Sequence, residues 1–328
     1  MAAILEIADP AEFRFSPLII QNVRGRMKGV RRSPTHLAER LDWTGARLLG
    51  LATWRTGGIL HRMDTRLPPF AGKEVLTVHD TAPLRFSDEG AMPRSAREGI
   101  RRAAAVIAPS RFAADEITRF SGRDDVEVVH NGVTTGYSRS TPRLSQGLRD
   151  NWGLPGAYVL VTGGATQRKN LSCLSSAWPG VRRAFPDLVL ALAGPRDRRR
   201  DQLFSHLEGV RLLGKLSDQV LPSLYSSADV YVSCSRYEGF GLPSLEALAV
   251  GTPVLAINNG VAREVCGEAA TYVADDPRDV QQSLIALLTE PSLHQRLAAL
   301  GPLRAAEFTW RRSATHHLDL YRAVRDRR

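Results

Sequence analysis

The sequence shows few long apolar runs, so we expect no membrane-spanning helix and no signal peptide. No apolar run approaches the ~18–20 residues that a membrane-spanning helix needs. The N-terminus shows no basic start followed by an apolar core, as a signal peptide would. Cysteine is scarce, since the chain has only Cys173, Cys234 and Cys266, without C-x-x-C spacing. This scattered set argues against a structural zinc site and for a reducing compartment, so we expect a cytoplasmic protein.

Lysine is also scarce. It supplies four of the 44 basic residues, so the net charge of +10 comes from arginine scattered along the chain. Basic clusters at 24–32 and 196–200 are not interleaved with the aromatic side chains that single-stranded nucleic acid requires. The pattern argues against a nucleic-acid partner. It favours solvated arginine faces, with weak attraction to an acidic membrane surface or a lipid phosphate.

The length of 328 residues allows two domains, and 43% hydrophobic residues are typical of a globular protein. From residue 73 onward, short apolar segments alternate with helical patterns, which predicts a doubly wound α/β fold with parallel sheets. We expect a linker over 134–150 and a terminal helix from about residue 309 to 324. Strands of the second domain are predicted at 157–162, 187–193, 210–213, 229–234, 253–257 and 271–273.

The first part of the chain is harder to interpret. Residues 4–7 suggest a short strand and 46–54 a strand or a helix, whereas 59–61 and 74–78 read as strands. A helix is predicted over 94–105, a strand over 106–108 and a helix over 111–120 capped by Ser110. A further strand, 126–129, precedes Asn131. Gly25 and Gly29 follow no clear strand, and Gly57-Gly58 directly precedes one.

The stretch 229–257 carries the clearest pattern. An apolar strand, 230–234, leads into a loop, and Pro243 then stands in the first turn of a helix that ends before Gly251. Gly239 and Gly241 flank Phe240, as a turn with close backbone approach requires, and the helix start offers N–H groups to a phosphate. Two carboxylates, Glu238 and Glu246, frame the unit.

A second pattern places two cations at the end of another predicted strand. Residues 159–162 lead into Gly163-Gly164, and Arg168-Lys169 follow in a basic loop that enters a helix. A bidentate guanidinium and a point-charge ammonium suit adjacent phosphate oxygens. Two such fixed cations would stabilise the negative charge that develops on a diphosphate leaving group.

The segment from Glu238 to Glu246, EGFGLPSLE, resembles the E-x7-E signature of glycosyltransferase family 4, and 247–254 and 263–270 continue the likeness. TVHDTAPL (77–84), APSRF (108–112) and HNGV (130–133) also resemble that family. Its members are retaining, nucleotide-sugar-dependent enzymes of the GT-B fold. The resemblance implies two Rossmann-like doubly wound domains facing across a cleft, with a C-terminal helix crossing back to the first. It places an acceptor-side domain at 1–140, a nucleotide-sugar domain at 141–308 and the terminal helix at 309–328.

The resemblance also implies roles for individual residues. Glu238 would contact donor-sugar hydroxyls, Glu246 the ribose, and Arg168 and Lys169 the diphosphate. The implied catalytic residues are His79, Arg168, Lys169 and Glu238. The implied donor-binding residues are Gly164, Arg168, Lys169, Glu238, Gly239, Phe240, Gly241, Leu242 and Glu246. Residues of the acceptor side or cleft would be Asp80, Ser110 and Asn131.

The expected reaction is transfer of a hexose from a nucleoside-diphosphate sugar to a saccharide or lipid-linked acceptor, with the donor as substrate and no cofactor. Mannose is favoured, with GDP-mannose as donor, because TVHD and RKNL most resemble mannosyltransferase-like members. The chain has no D-x-D triplet to hold a metal on the diphosphate, so a metal-independent enzyme is expected.

Two alternatives stay open. An epimerase of similar fold is disfavoured by the E-x7-E segment, and the atypical first sixty residues would suit an inactive binding subunit. The chain also has Gly164-Ala165 where many relatives carry a basic residue.

Overall fold

The computed structural model describes residues 2–16, 20–22, 31–33, 35–54 and 57–327. The strands are β1 Ile20–Asn22, β2 Arg31–Ser33, β3 Leu60–Arg62, β4 Glu74–Thr77, β5 Ala105–Ala108, β6 Val126–Val128, β7 Tyr158–Thr162, β8 Val189–Ala193, β9 Val210–Gly214, β10 Val230–Ser233, β11 Val254–Ile257 and β12 Ala270–Val273. The helices are α1 Ala2–Ile7, α2 Thr35–Ala38, α3 Trp43–Thr53, α4 Ala96–Arg102, α5 Arg111–Ser121, α6 Gln146–Asn151, α7 Leu171–Ala184, α8 Arg198–Phe204, α9 Leu221–Ser227, α10 Leu242–Val250, α11 Gly260–Cys266, α12 Pro277–Thr289, α13 Pro291–Ala305 and α14 Trp310–Asp326.

The chain divides into two compact units. Unit 1 comprises Met1–Gly132 together with Trp310–Arg328, and unit 2 comprises Val133–Thr309. The C-terminal helix α14 therefore belongs with the N-terminal part of the chain, as the fold class predicted. The boundary expected at residue 140 lies inside unit 2.

Unit 1 is built on a parallel sheet in the order β3-β4-β5-β6. Strands β4 and β5 are buried along their whole length, as parallel strands covered on both faces are. Helix α14 covers one face, where its buried residues Leu318, Tyr321 and Val324 join a core with Val75 and Ile107. This packing brings the C-terminus back to the first sheet.

A histidine ties α14 to that sheet. Nδ1 of His61 lies 2.5 Å from the Tyr321 hydroxyl, and Nε2 lies 2.8 Å from Oγ1 of Thr77. Burial, with the nearby His317 and His79 adding to it, lowers the pKa of His61 to about 3. The ring is therefore neutral at physiological pH, and it joins β3, β4 and α14 through its two nitrogens.

Unit 2 is built on a parallel sheet in the order β12-β11-β10-β7-β8-β9. The chain leaves β7 toward β8 and β9, then returns to place β10 on the other side of β7. The carboxyl ends of β7 and β10 thus lie side by side where the strand order reverses. Ligands of doubly wound folds bind at this switch point.

The core of unit 2 fixes this edge. Alternate residues of the central strands, such as Val159, Val161, Val230 and Val232, enter one buried cluster with Trp178 of α7. Because successive strand residues face opposite sides of the sheet, this alternation sets the register of every strand. The loops at the strand ends therefore extend from a well-packed sheet.

Three sequence-based predictions are wrong in local detail. Residues 4–7 belong to helix α1, because Ile4 packs into the core beside α14. The helix expected over 94–105 is the shorter α4, since the strand β5 already begins at Ala105. The expected linker 134–150 is part of unit 2. Leu144 is buried there, its N–H donates to Oγ of Ser227, and the next residues form α6.

The structure decides the segment 46–54, which the sequence left open, but it does not test the predictions for Gly25 and Gly29. The ambiguous segment 46–54 lies in helix α3, whose N-cap Asp42 accepts from the N–H of Gly45. Gly25 and Gly29 lie outside the described residues. Across the described parts of the chain, no helix is both long and apolar enough to cross a membrane.

Candidate active site

The loop between β10 and α10 is shaped by glycine. Gly241 precedes α10 with a φ of 87°, in the left-handed region that favours glycine, and Pro243 follows in the first turn. Phe240 is buried, and its ring meets Phe308 edge to face at 5.7 Å between centroids. The side chain of Phe240 therefore anchors the loop in unit 2, so only its backbone is suited to face a ligand.

The loop after β7 carries the two cations. Gly163 has a φ of 112°, and a buried arginine, Arg200, donates to its carbonyl and to that of Pro195. Arg168 and Lys169 stand in a short 3-10 turn, and Asn170 then adopts the left-handed conformation before α7. The chain thereby turns sharply between the cations and the helix.

Glu238 forms ion pairs with both cations. Nζ of Lys169 donates to Oε1 of Glu238 at 2.5 Å, and Nη1 of Arg168 donates to Oε2 at 2.6 Å. The three side chains are only 13–18% exposed. Burial acts to raise the pKa of Glu238, but the charges of Lys169 and Arg168 outweigh it, so the pKa is lowered. Glu238 is therefore a carboxylate held by two cations.

A further carboxylate holds the two loops together. Asn170 donates from Nδ2 to Oδ1 of Asp275 at 2.6 Å, and Arg236 donates from Nε to Oδ2. The backbone N–H of Arg236 also donates to the carbonyl of Arg168 at 2.8 Å. Sequence reasoning missed Asp275, although its position just after the predicted strand 271–273 was a signal.

Glu246 lies on α10 and is half-buried. Burial raises its pKa to about 7, with Asp218 adding to the rise and a hydrogen bond from Tyr225 opposing it. The Tyr225 hydroxyl also lies 2.6 Å from Oγ1 of Thr162, at the end of β7. Such a carboxyl group is suited to hydroxyl partners and would repel a phosphate.

The predicted residues of unit 1 share one sheet edge. His79 follows β4, Ser110 follows β5 and Asn131 follows β6, so all three stand at carboxyl ends of parallel strands. His79 is exposed. Asp80 accepts from the N–H of Ala82 at 2.9 Å, which closes a turn. Ser110 is fully buried and accepts from the N–H of Ala113 at 3.0 Å, as the predicted cap of α5.

Gly164 leaves its backbone open in the loop after β7. A Cβ added to Gly164 would meet no atom within 4 Å, so its backbone is open to approach. Among the residues that the structure describes, no three or more His, Cys, Asp or Glu side chains are grouped to hold a metal ion.

Family models match both units. Residues 27–137 match the model described as Glycosyltransferase Family 4, and residues 149–302 match Glycosyl transferases group 1. Together the two matches cover well over half of the chain. They include the basic pair, Glu238 and Glu246.

Similar curated proteins are glycosyltransferases. The O-antigen chain mannosyltransferase B of Escherichia coli is 29% identical over 81% of this chain and 74% of its own length. The glycogen synthase of Mycobacterium tuberculosis is 30% identical over 76% of this chain and 63% of its own. The phosphatidyl-myo-inositol mannosyltransferase of Mycobacterium leprae is 34% identical over 62% and 54%. This chain thus spans less than two thirds of the last two relatives.

Solved structures share the fold. The sucrose-phosphate synthase of Thermosynechococcus elongatus gives a TM-score of 0.67 at 22% identity, over 81% of this chain and 73% of the other. Anabaena Alr3699/HepE, solved in complex with UDP-glucose, gives 0.63 at 21% identity, over 75% and 72%. These matches confirm the predicted two-domain α/β fold with parallel sheets, of the GT-B type.

Proposed function

This chain belongs to the glycosyltransferases that combine a family 4 domain with a group 1 domain, a class of transferase enzymes, and we propose that it transfers a hexose from a nucleoside-diphosphate sugar to a saccharide or lipid-linked acceptor. The observation that carries the proposal is the contact of Glu238 with Lys169 and Arg168 at the switch point of unit 2. It sets two cations and one carboxylate at the position where doubly wound folds bind ligands.

The charge of each of these residues indicates which part of the donor it binds. Lys169 and Arg168 bind the diphosphate and stabilise the charge that grows on it as the glycosidic bond breaks. Glu238 accepts hydrogen bonds from the sugar hydroxyls, and Glu246 from the ribose. Backbone groups of Gly164, where an added Cβ would meet no atom within 4 Å, and of 239–242 at the start of α10 approach the phosphates and the sugar.

We propose retention of configuration without a carboxylate nucleophile. The acceptor hydroxyl attacks the anomeric carbon on the face that the diphosphate leaves, and the leaving phosphate oxygen takes its proton. Glu238 is held by two cations and serves to bind hydroxyls in this scheme. His79 is proposed to act on the acceptor side, with Asp80 and Asn131 at the same sheet edge of unit 1, where Ser110 serves as the buried cap of α5. The fixed cations perform the task of a metal ion, so the proposed reaction is metal-independent.

Mannose is the proposed sugar and GDP-mannose the proposed donor. Two of the three curated relatives described above are named mannosyltransferases, and one of these is named for an O-antigen chain. Another relative is named a glycogen synthase, so donors of other hexoses are tested as well. The proposed acceptors follow from these names. We also propose that the enzyme works in the cytoplasm, in peripheral contact with an acidic membrane.

The proposal is tested by thermal unfolding of the full chain with GDP, UDP and ADP. A ligand at ~100 times its dissociation constant stabilises a protein by about 2.7 kcal/mol. Lys169→Ala should remove the stabilisation by the preferred nucleotide. Lys73→Ala is the matched control, because Lys73 lies in unit 1 and donates to the carbonyl of Arg325.

Radiolabelled sugar from the matching donor should then pass to a saccharide or lipid acceptor with the wild-type chain. If no nucleotide shifts the unfolding transition, the donor site is not functional. The interpretation as a binding subunit would then replace the proposal.

A further inference from the structure

The cations of the donor site already have an anionic partner within the chain. Glu238 meets Lys169 through one carboxylate oxygen and Arg168 through the other. All three side chains are largely shielded from water, so their attraction is screened less than that of a surface ion pair. A diphosphate that binds Lys169 and Arg168 therefore competes with Glu238 for the same charges.

The outcome of this competition depends on what else the ligand carries. A bare nucleoside diphosphate brings negative charge toward Glu238 and offers its displaced carboxylate nothing to bind. A sugar attached to the diphosphate brings hydroxyl donors to the same place. These hydroxyls replace the hydrogen bonds that Glu238 gives up, because a carboxylate accepts readily from O–H groups.

We propose that Glu238 makes the site select the sugar nucleotide over the bare nucleoside diphosphate, because its carboxylate competes for Lys169 and Arg168 unless sugar hydroxyls engage it. The inference rests on the proposed function of the site. It assigns Glu238 a role in specificity, in which the product of transfer binds more weakly than the donor. Product release is thereby favoured at each turnover.

The geometry supports this assignment to Glu238 and not to Glu246. The groups that act on the Glu246 carboxyl are Tyr225 and Asp218, whereas Lys169 and Arg168 both pair with Glu238. The ribose that Glu246 is proposed to bind is present in both ligands, so this residue has no means of telling them apart. The two carboxylates therefore give opposite expectations in one experiment.

The test is calorimetric titration of the full chain with GDP, UDP and ADP, and with GDP-mannose, UDP-glucose and ADP-glucose. Glu238→Gln keeps the size of the side chain and removes its charge. It should bind the preferred nucleoside diphosphate about tenfold tighter than wild type, since no carboxylate then competes with the phosphates for Lys169 and Arg168. The sugar nucleotide should gain less or bind more weakly, so the ratio of the two affinities falls by about tenfold or more.

Two further variants keep the result decisive. Glu246→Gln should change both affinities by the same factor and leave the ratio as in wild type. Glu238→Asp keeps a carboxylate but places it one methylene farther from the cations, so it should give a smaller fall in the ratio. This variant provides the test if Glu238→Gln does not fold.

Each remaining outcome overturns a defined claim. If Glu238→Gln binds the diphosphate no tighter than a wild type that does bind it, the inference is wrong and the donor site stands. An equal fall in the ratio for Glu246→Gln also overturns the assignment to Glu238. If wild type and variants bind none of the six nucleotides, the proposed function itself fails and the inference falls with it.

Discussion

Asn170 donates a 2.6 Å hydrogen bond to the carboxylate of Asp275 across unit 2, from the start of α7 to the loop after β12. The same carboxylate accepts from Arg236, which lies two residues before Glu238. Asp275 therefore connects the segment that holds the cations with the segment that holds Glu238. Neither partner of Asp275 needs to touch the donor for this link to matter.

Asp275→Ala should weaken nucleoside-diphosphate binding by about tenfold, because small displacements of charged groups in a site are expensive. The measurement is the nucleotide-induced rise in melting temperature. Asp276→Ala is the matched control, since Asp276 caps α12 by accepting from the N–H groups of Arg278 and Asp279. The control should lower the melting temperature by loss of a cap and keep the nucleotide-induced rise. An equal loss of that rise in both variants would contradict the role given to Asp275.

Glu246→Gln should stabilise the folded protein at alkaline pH. The pKa of Glu246 is raised in the folded state from an ordinary 4.5 to about 7, so the unfolded chain loses this proton first as the pH rises. Stability from this group is therefore lost between pH 4.5 and 7, by roughly 3 kcal/mol in total. Chemical denaturation at pH 4 and pH 8 measures the difference. The variant should match wild type more closely at pH 4 and exceed it at pH 8, while it binds nucleotide less well.

His61→Gln should make the protein less sensitive to acid. The pKa of His61 is lowered to about 3. Between pH 6.5 and pH 3 the unfolded chain therefore binds a proton at His61 that the folded chain does not bind. Stability from this group is full above pH 6.5 and falls by roughly 1.4 kcal/mol per pH unit below it. Urea unfolding at pH 7.5 and pH 4.5 gives the loss for each protein. The same loss in wild type and variant would show that His61 takes up its proton in the folded state.

Gly164→Ala should reduce nucleotide binding and leave stability nearly unchanged. A Cβ at this position meets no atom of the protein within 4 Å, so it can only obstruct something that binds there. Gly156→Ala is the matched control, because a Cβ at this exposed position also meets no atom within 4 Å. Titration with the preferred nucleoside diphosphate compares the two. If both variants bind like wild type, the phosphates do not approach Gly164.

Much of the fold could be predicted because its signals are local. The apolar strands of unit 2 and the glycine and proline residues around α10 specify their own conformations over a few residues. Helix α1 and the region around Leu144 could not be predicted in this way. Their conformation depends on packing against α14 and on a hydrogen bond to Ser227, which are distant in sequence.

The sequence by itself determined the family, the strands of unit 2 and the residue types of the site, since Glu238, Glu246, Arg168 and Lys169 stand in recognisable segments. Only the tertiary structure decided that Glu238 pairs with both cations, that Asp275 links their loops and that Ser110 is fully buried. Lys169 and Glu238 are 69 residues apart. They meet because β10 pairs with β7, and strand order is set by packing of the whole sheet, which no local pattern encodes.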